Sequence, residues 1–295
     1  MSKGHTTTSN FRSTLLILHY CFAHFSLHHY AQRLPPYAIL LSMDSKVHHA
    51  PQAILFDMDG TLLITTQRSD QSWQHVCAQF APRFGLSPDL LLHALRERIT
   101  AYRKDIEHDA EKQRRDRLDP FTVRQETVEA ALVRVGLKDS TLAAEMVRAY
   151  EALREAHREL APHALETLRT LGDRAMRLAL LTNGNATYQR RKIEQHHLAP
   201  FFDCILIEEE FGTAKSDPRI YLAALSQLQV TPQEAWMVGD DVAFDIAVPQ
   251  QLGMMAIWMD PARRGLPEKS PVHPDAIIHS LPELLELEKE ASTSA

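Results

Sequence analysis

Two hydrophobic rhythms alternate along this chain. Residues 53–56 (Ala-Ile-Leu-Phe) form an unbroken apolar run of strand length that ends in Asp57-Met58-Asp59-Gly60-Thr61, a polar turn. Unbroken apolarity predicts a central parallel strand covered on both faces, with its polar residues at the carboxyl end, where open α/β sheets bind ligands. The same pattern returns after residue 163. Residues 177–181 run into Thr182-Asn183-Gly184, residues 204–207 lead to a loop over 211–215, and residues 235–238 end in Gly239-Asp240-Asp241. Residues 254–258 and 276–278 predict two more strands, and 281–290 a closing helix. Strand-like and helix-like segments in alternation predict an α/β fold, a doubly wound and mainly parallel sheet with helices on both faces.

Residues 67–161 break this rhythm. Apolar positions recur there at helical spacing: Leu91, Leu92, Leu95 and Ile99 after Ser87-Pro88, then Val128, Leu132 and Val135 closed by Gly136. Ser140 is expected to cap a helix through Leu142, Met146, Ala149 and Leu153, and another helix is expected around residues 73–80. About four helices make a small bundle inserted into the sheet domain. The predicted organisation is an unstructured extension over 1–50, a sheet core from 51–66 and 162–290, a helical insertion over 67–161 and a disordered tail over 291–295. Met43, just before the first strand, is a candidate initiator.

Composition narrows the function. The chain has 295 residues, 44% hydrophobic and 24% charged, with a net charge of −6. That balance is globular and argues against a nucleic-acid reader held by phosphate contacts. No apolar run approaches the roughly 18–20 residues of a membrane span. Three cysteines without paired spacing (Cys21, Cys77 and Cys204) make neither a disulfide framework nor a zinc cluster, so a reducing, cytoplasmic setting is expected. The insertion is charge-balanced. Residues 162–295 carry twelve basic against nineteen acidic residues, as a carboxylate site wanting a cation would.

Asp57 and Asp59 sit two apart after a strand, so in extended chain they share one face and can serve one site. Gly60 lets the backbone pass close to a ligand. A calcium loop would need further oxygen ligands at short regular spacing, and Leu62, Leu63 and Ile64 follow instead. Taken singly, Thr182-Asn183-Gly184 is an ordinary strand-to-helix turn, Lys215 a surface lysine, and Asp240 or Asp241 a helix cap. The run Lys112, Arg114, Arg115, Arg117 is interleaved with acids and reads as a solvated face, with recognition of an anionic substrate tail as the alternative.

In order, Asp57-Met58-Asp59-Gly60-Thr61-Leu62, Thr182-Asn183-Gly184, Lys215 in Gly212-Thr213-Ala214-Lys215-Ser216-Asp217-Pro218, and Gly239-Asp240-Asp241 with Asp245 resemble the four motifs of the haloacid dehalogenase-like superfamily. The resemblance covers about residues 51–290. Ser216 stands where many members have proline, and Val248-Pro249-Gln250-Gln251 replaces a smaller Ala/Gly-rich segment.

The resemblance implies a Rossmann-like catalytic core with a helical cap, and a Mg2+-dependent phosphatase acting on a small phosphorylated substrate. Asp57 would be the nucleophile and Asp59 the general acid and base. Gly60, Thr182, Asn183 and Lys215 would hold the phosphate, with Lys215 also orienting Asp57. Asp57, Asp240 and the backbone carbonyl of Asp59 would ligate Mg2+, with Asp241 and Asp245 supporting from behind. Sugar phosphates, phosphoglycolate and nucleotides are the expected substrate types, handled by a monomer or homodimer. A phosphomutase or a dehalogenase on the same fold, and a non-catalytic binding protein, are the competing readings.

Overall fold

A computed structural model describes residues 50–266, 268 and 270–293. The expected extension, apart from residue 50, and Met43 with it, lie outside the described residues. Among the described residues, six parallel strands form the main sheet: β1 (Ala53–Phe56), β4 (Arg177–Thr182), β5 (Cys204–Ile207), β6 (Ala235–Gly239), β7 (Met255–Met259) and β8 (Ala276–Ile278). Their spatial order is β5-β4-β1-β6-β7-β8, so the chain winds outward from β1 in both directions.

Strand β1 is buried over its whole length because both its faces meet helices. Ile54 and Phe56 join Leu178, Leu180, Trp236 and Val238 beneath α6 (Ala164–Asp173) and α11 (Leu281–Thr293). Ala53 and Leu55 join Ala179, Leu181 and Met237 beneath α9 (Pro218–Leu228). The unbroken apolar runs thus encode a strand packed on two sides.

Between β1 and β4 the chain leaves the sheet. Two short strands, β2 (Leu63–Thr65) and β3 (Arg158–Leu160), pair antiparallel at the two ends of the insertion. At three residues each, they are too short for a period-2 pattern to announce them. Between them lie five helices, where four were expected: α1 (Ser69–Phe80), α2 (Pro88–Ile106), α3 (Ala110–Leu118), α4 (Pro120–Arg134) and α5 (Ser140–Ala156). The extra helix α3 buries no residue, so it has no apolar stripe from which it could be read. The others share one core built on Trp73, Leu91, Leu95, Leu132 and Met146, with Trp73 stacked on Tyr150 at 4.0 Å.

Local details also shift. Helix α5 is capped by Asp139, whose carboxylate accepts from the Leu142 N–H, and Ser140 is its first residue. Helix α11 continues through Thr293, so residues 291–293 are helical rather than a tail. Among the described residues no helix is long and apolar enough to cross a membrane.

Candidate active site

The register of three strands brings the polar turns together. Phe56 lies level with Leu180 on one side and Val238 on the other, and the Asp57 N–H donates to the Val238 carbonyl at 2.9 Å. Asp57, Thr182 and Asp240 therefore leave the sheet at one rim, around β1, where the winding changes direction and a crevice opens.

Lys215 binds this rim together from the far side. Its ammonium donates to Asp57 Oδ1 and to Asp245 Oδ1, the latter at 2.7 Å, and its backbone N–H donates to Asn183 Oδ1 at 2.8 Å. Asp57, Lys215 and Asp245 are all buried. Asp245 comes from a π-helical turn (Val242–Ala247), and its other oxygen accepts the Asp241 N–H at 3.1 Å. Asp241 spends its carboxylate on the turn itself, accepting from the Ala243 and Phe244 N–H groups at 2.8 and 3.0 Å.

Two carboxylates remain open. Asp57 Oδ2 is buried without a hydrogen-bond partner, and the Asp240 side chain makes no hydrogen bond among the described residues, while its carbonyl is held by the Trp258 indole at 3.0 Å. Carboxylate oxygens of Asp57, Asp240 and Asp245 lie within 4.8 Å of one another. Gly60, at φ +96°, makes the crowding possible: a Cβ there would stand 2.2 Å from Asp240 Oδ2.

The electrostatics follow from this crowding. Burial pushes the Asp57 carboxyl up to about 7 against the attraction of Lys215, with Asp245 adding to the rise. Asp240 is raised well above its ordinary value, by burial first and then by Asp57, Asp245 and Asp241. Lys215 is raised despite its burial because Asp245 and Asp57 flank it. Four carboxylates face one ammonium, a deficit of positive charge that a divalent cation would fill.

Asp59 bonds outside the Asp57–Lys215–Asp245 cluster, to the helix after β4. Its carboxylate accepts from Lys192 Nζ at 2.9 and 2.7 Å and from Gln189 Nε2 at 3.0 Å, both on α7 (Ala186–Gln195). Partial desolvation works to raise its pKa, but Lys192 and Gln189 hold it below the ordinary value. Gln189 also donates to Thr182 Oγ1 at 2.6 Å and to the Asn183 carbonyl at 2.8 Å. Neither Gln189 nor Lys192 stands out in the sequence. Their signal is positional: seven and ten residues after Thr182, three apart, on one helical face.

Arg117 corrects the expectation of a solvated basic face. Lys112 and Arg115 do pair at the surface, with Asp105 and Glu126, whereas Arg117 reaches into the sheet domain and grips the buried Glu208. Glu208, at the start of α8 (Glu208–Phe211), also accepts the Gly184 N–H at 2.9 Å.

Comparison with known proteins places the chain in a family. The family model for haloacid dehalogenase-like hydrolases matches residues 51–253. A phosphoserine phosphatase of Thermus thermophilus is 40% identical over 126 residues, 42% of this chain and 49% of the relative, so the chain spans about half that relative's length. A glyceraldehyde 3-phosphate phosphatase of Pyrococcus abyssi is 29% identical over 70% of this chain and 80% of its own. Among solved structures, a 2-haloacid dehalogenase of Pseudomonas syringae superposes with a TM-score of 0.57 at 27% identity, covering 81% of this chain and 99% of its own. With four motifs converging on one rim and the family model matching most of the sheet domain, the chain belongs to the haloacid dehalogenase-like hydrolases, a family of enzymes.

Proposed function

We propose that this hydrolase is a Mg2+-dependent phosphatase acting on a small phosphorylated metabolite. The observation that carries the reading is the unpartnered pair Asp57 Oδ2 and Asp240 beside Lys215 and Thr182. That pair is a set of hard oxygen donors next to a nucleophile and a phosphate anchor. Asp57, Asp240 and the backbone carbonyl of Asp59 would hold Mg2+, which when bound offsets the repulsion between a phosphate ester and the carboxylates.

The chain's own groups carry the rest. Asp57 attacks phosphorus, the bond to the leaving oxygen breaks, and Asp59, whose carboxylate first takes a proton from the monoanionic ester, passes it to that oxygen. Thr182 donates its hydroxyl, and Asn183 its backbone N–H, to phosphoryl oxygens, with Lys215 balancing the charge that develops on them. Water then attacks the aspartyl-phosphate, Asp59 takes its proton, and Asp57 and inorganic phosphate are freed. The helical insertion covers the site and excludes bulk water. Small esters suit such a covered rim, and the names of the two relatives, both for three-carbon phosphate esters, support that class. Cys77 and Cys204 are buried free thiols, which supports a reducing, cytoplasmic setting.

A dehalogenase is disfavoured because halide leaves without a proton. Such chemistry gives Asp59 and the open Asp240 no task. The test is phosphate release from a panel of sugar phosphates, phosphoglycolate, phosphoserine and nucleoside monophosphates, with Mg2+ and with EDTA. Release that EDTA abolishes is expected. Transfer between positions without release would indicate a mutase, and halide release from 2-chloropropionate unaffected by EDTA would indicate the dehalogenase.

A further inference from the structure

Asp59 is half-exposed at the mouth of the site, where an aspartate side chain with two rotatable bonds has freedom to wander. It is nevertheless held by three hydrogen bonds, all from one face of α7. Lys192 donates to both carboxylate oxygens and Gln189 to one. The Lys192 side chain is only 14% exposed, and Asp59 is its only ion-pair partner among the described residues. An ammonium buried that deeply with one carboxylate is costly to place and has no role in solubility.

Gln189 extends the arrangement. The amide nitrogen that holds Asp59 also bonds Thr182 Oγ1 and the Asn183 carbonyl, so one side chain spans the proposed acid and the proposed phosphate anchor. Helix α7 starts right after the turn that presents Thr182, with Asn185 as its cap. The segment that delivers the phosphate anchor therefore also delivers Gln189 and Lys192 at fixed offsets. A proton donor must sit within hydrogen-bond reach of the leaving oxygen, and small misplacements are expensive in rate.

We propose that Lys192 and Gln189 are positioning residues for Asp59, registering its carboxylate against the phosphate anchor Thr182 so that it meets the leaving group. The assignment rests on the phosphatase reading. Neither residue contacts the reacting atoms, and both act through Asp59.

The test compares two esters on the full chain with Mg2+: glycerol phosphate, whose alkoxide needs a proton to leave, and p-nitrophenyl phosphate, whose phenolate does not. For Lys192→Met, the first-turnover rate of glycerol release should fall about 10–100-fold, with the first-turnover burst of p-nitrophenolate within about threefold of wild type, while steady-state kcat falls on both esters because Asp59 also takes the proton of the hydrolytic water. The ester concentration giving half the first-turnover rate should stay within about threefold for both, and Lys192→Arg should recover most of the alkyl loss. Should Lys192→Met not melt cooperatively, Lys192→Gln carries the same comparison. Equal first-turnover losses on both esters, or a change confined to the half-saturating concentration, would overturn this assignment and leave the phosphatase reading standing. No phosphate release by the wild-type chain from these esters or from any ester of the panel above would overturn both.

Discussion

Arg117 and Glu208 form a bidentate ion pair across the boundary between the helical insertion and the sheet. Arg117 Nε and Nη2 reach Glu208 Oε2 and Oε1 at 2.8 and 2.9 Å. Glu208 is 1% exposed, and its Oε2 simultaneously accepts the N–H of Gly184, in the turn that carries Thr182. One buried carboxylate thus joins the insertion, the end of β5 and the turn after β4. A neighbouring contact runs the same way, from Asn185 Nδ2 to the Leu118 carbonyl at 3.0 Å. The insertion is latched to the turn it covers.

Breaking that latch from the Arg117 side leaves a buried carboxylate without its cation. Lost pairs of this kind cost about 3–5 kcal/mol when fully buried, and the partial exposure of Arg117 reduces the expectation to about 1–3 kcal/mol. Arg117→Met should therefore loosen the insertion: KM rises several-fold and protease cleaves sooner within residues 105–120. Arg117→Lys should repair little, because a point charge cannot make the two parallel bonds. Unchanged KM and unchanged proteolysis in Arg117→Met would rule out the latch.

Asp57→Asn tests chemistry and electrostatics together. Turnover should fall by at least about a thousandfold, because an amide cannot carry the phosphoryl group. The variant should fold, and in EDTA its melting temperature should equal or exceed that of the wild type, since the change removes a buried charge crowded by Asp240 and Asp245. A clear drop in melting temperature would mean that the Lys215 bond to Asp57 outweighs that crowding.

The same carboxylates predict a pH dependence for the metal-free chain. Asp57 rises from 3.8 to about 7 on folding, so between those values the folded chain holds more protons than the unfolded one. Stability then declines as pH rises through that window and levels off above it. Asp240, Asp241 and Asp245 are raised in the same direction, each by burial first. Asp59 is lowered, so its stabilising share is lost only as pH falls below its ordinary range. Thermal melts in EDTA should drop by several degrees between pH 5 and 8, and Mg2+ should restore more at pH 8 than at pH 5. Flat melts across that range would contradict the crowding.

Gly60→Ala should separate folding from cation binding. The new methyl would stand 2.2 Å from Asp240 Oδ2 at a φ of +96° that favours glycine, so Asp240 must move. A stability loss of about 1–3 kcal/mol is expected. So is loss of most of the Mg2+-induced thermal shift, read by calorimetry with and without the ion.

The sequence by itself determined the sheet and which polar turns meet at its rim. Strands over 53–56, 204–207 and 276–278 coincide with the structure residue for residue, and the central one, 53–56, is continuously apolar because both its faces are covered. Asp57, Thr182 and Asp240 are legible because they stand at or just beyond strand ends, and Lys215 because it falls among them in an order that few other constraints would produce, although the helix Glu208–Phe211 separates it from its strand. What only the tertiary structure decided is partnership. Helix α3 has no apolar stripe, so nothing local shows that Arg117 crosses to Glu208, 91 residues away in sequence. Lys192 and Asp59 lie 133 residues apart, and their pairing exists only because β4 lies beside β1 and the helix after it turns back over the rim. Apolar periodicity encodes which surface is buried. It carries no record of which charge is buried against which, since that depends on distances set after the elements have packed.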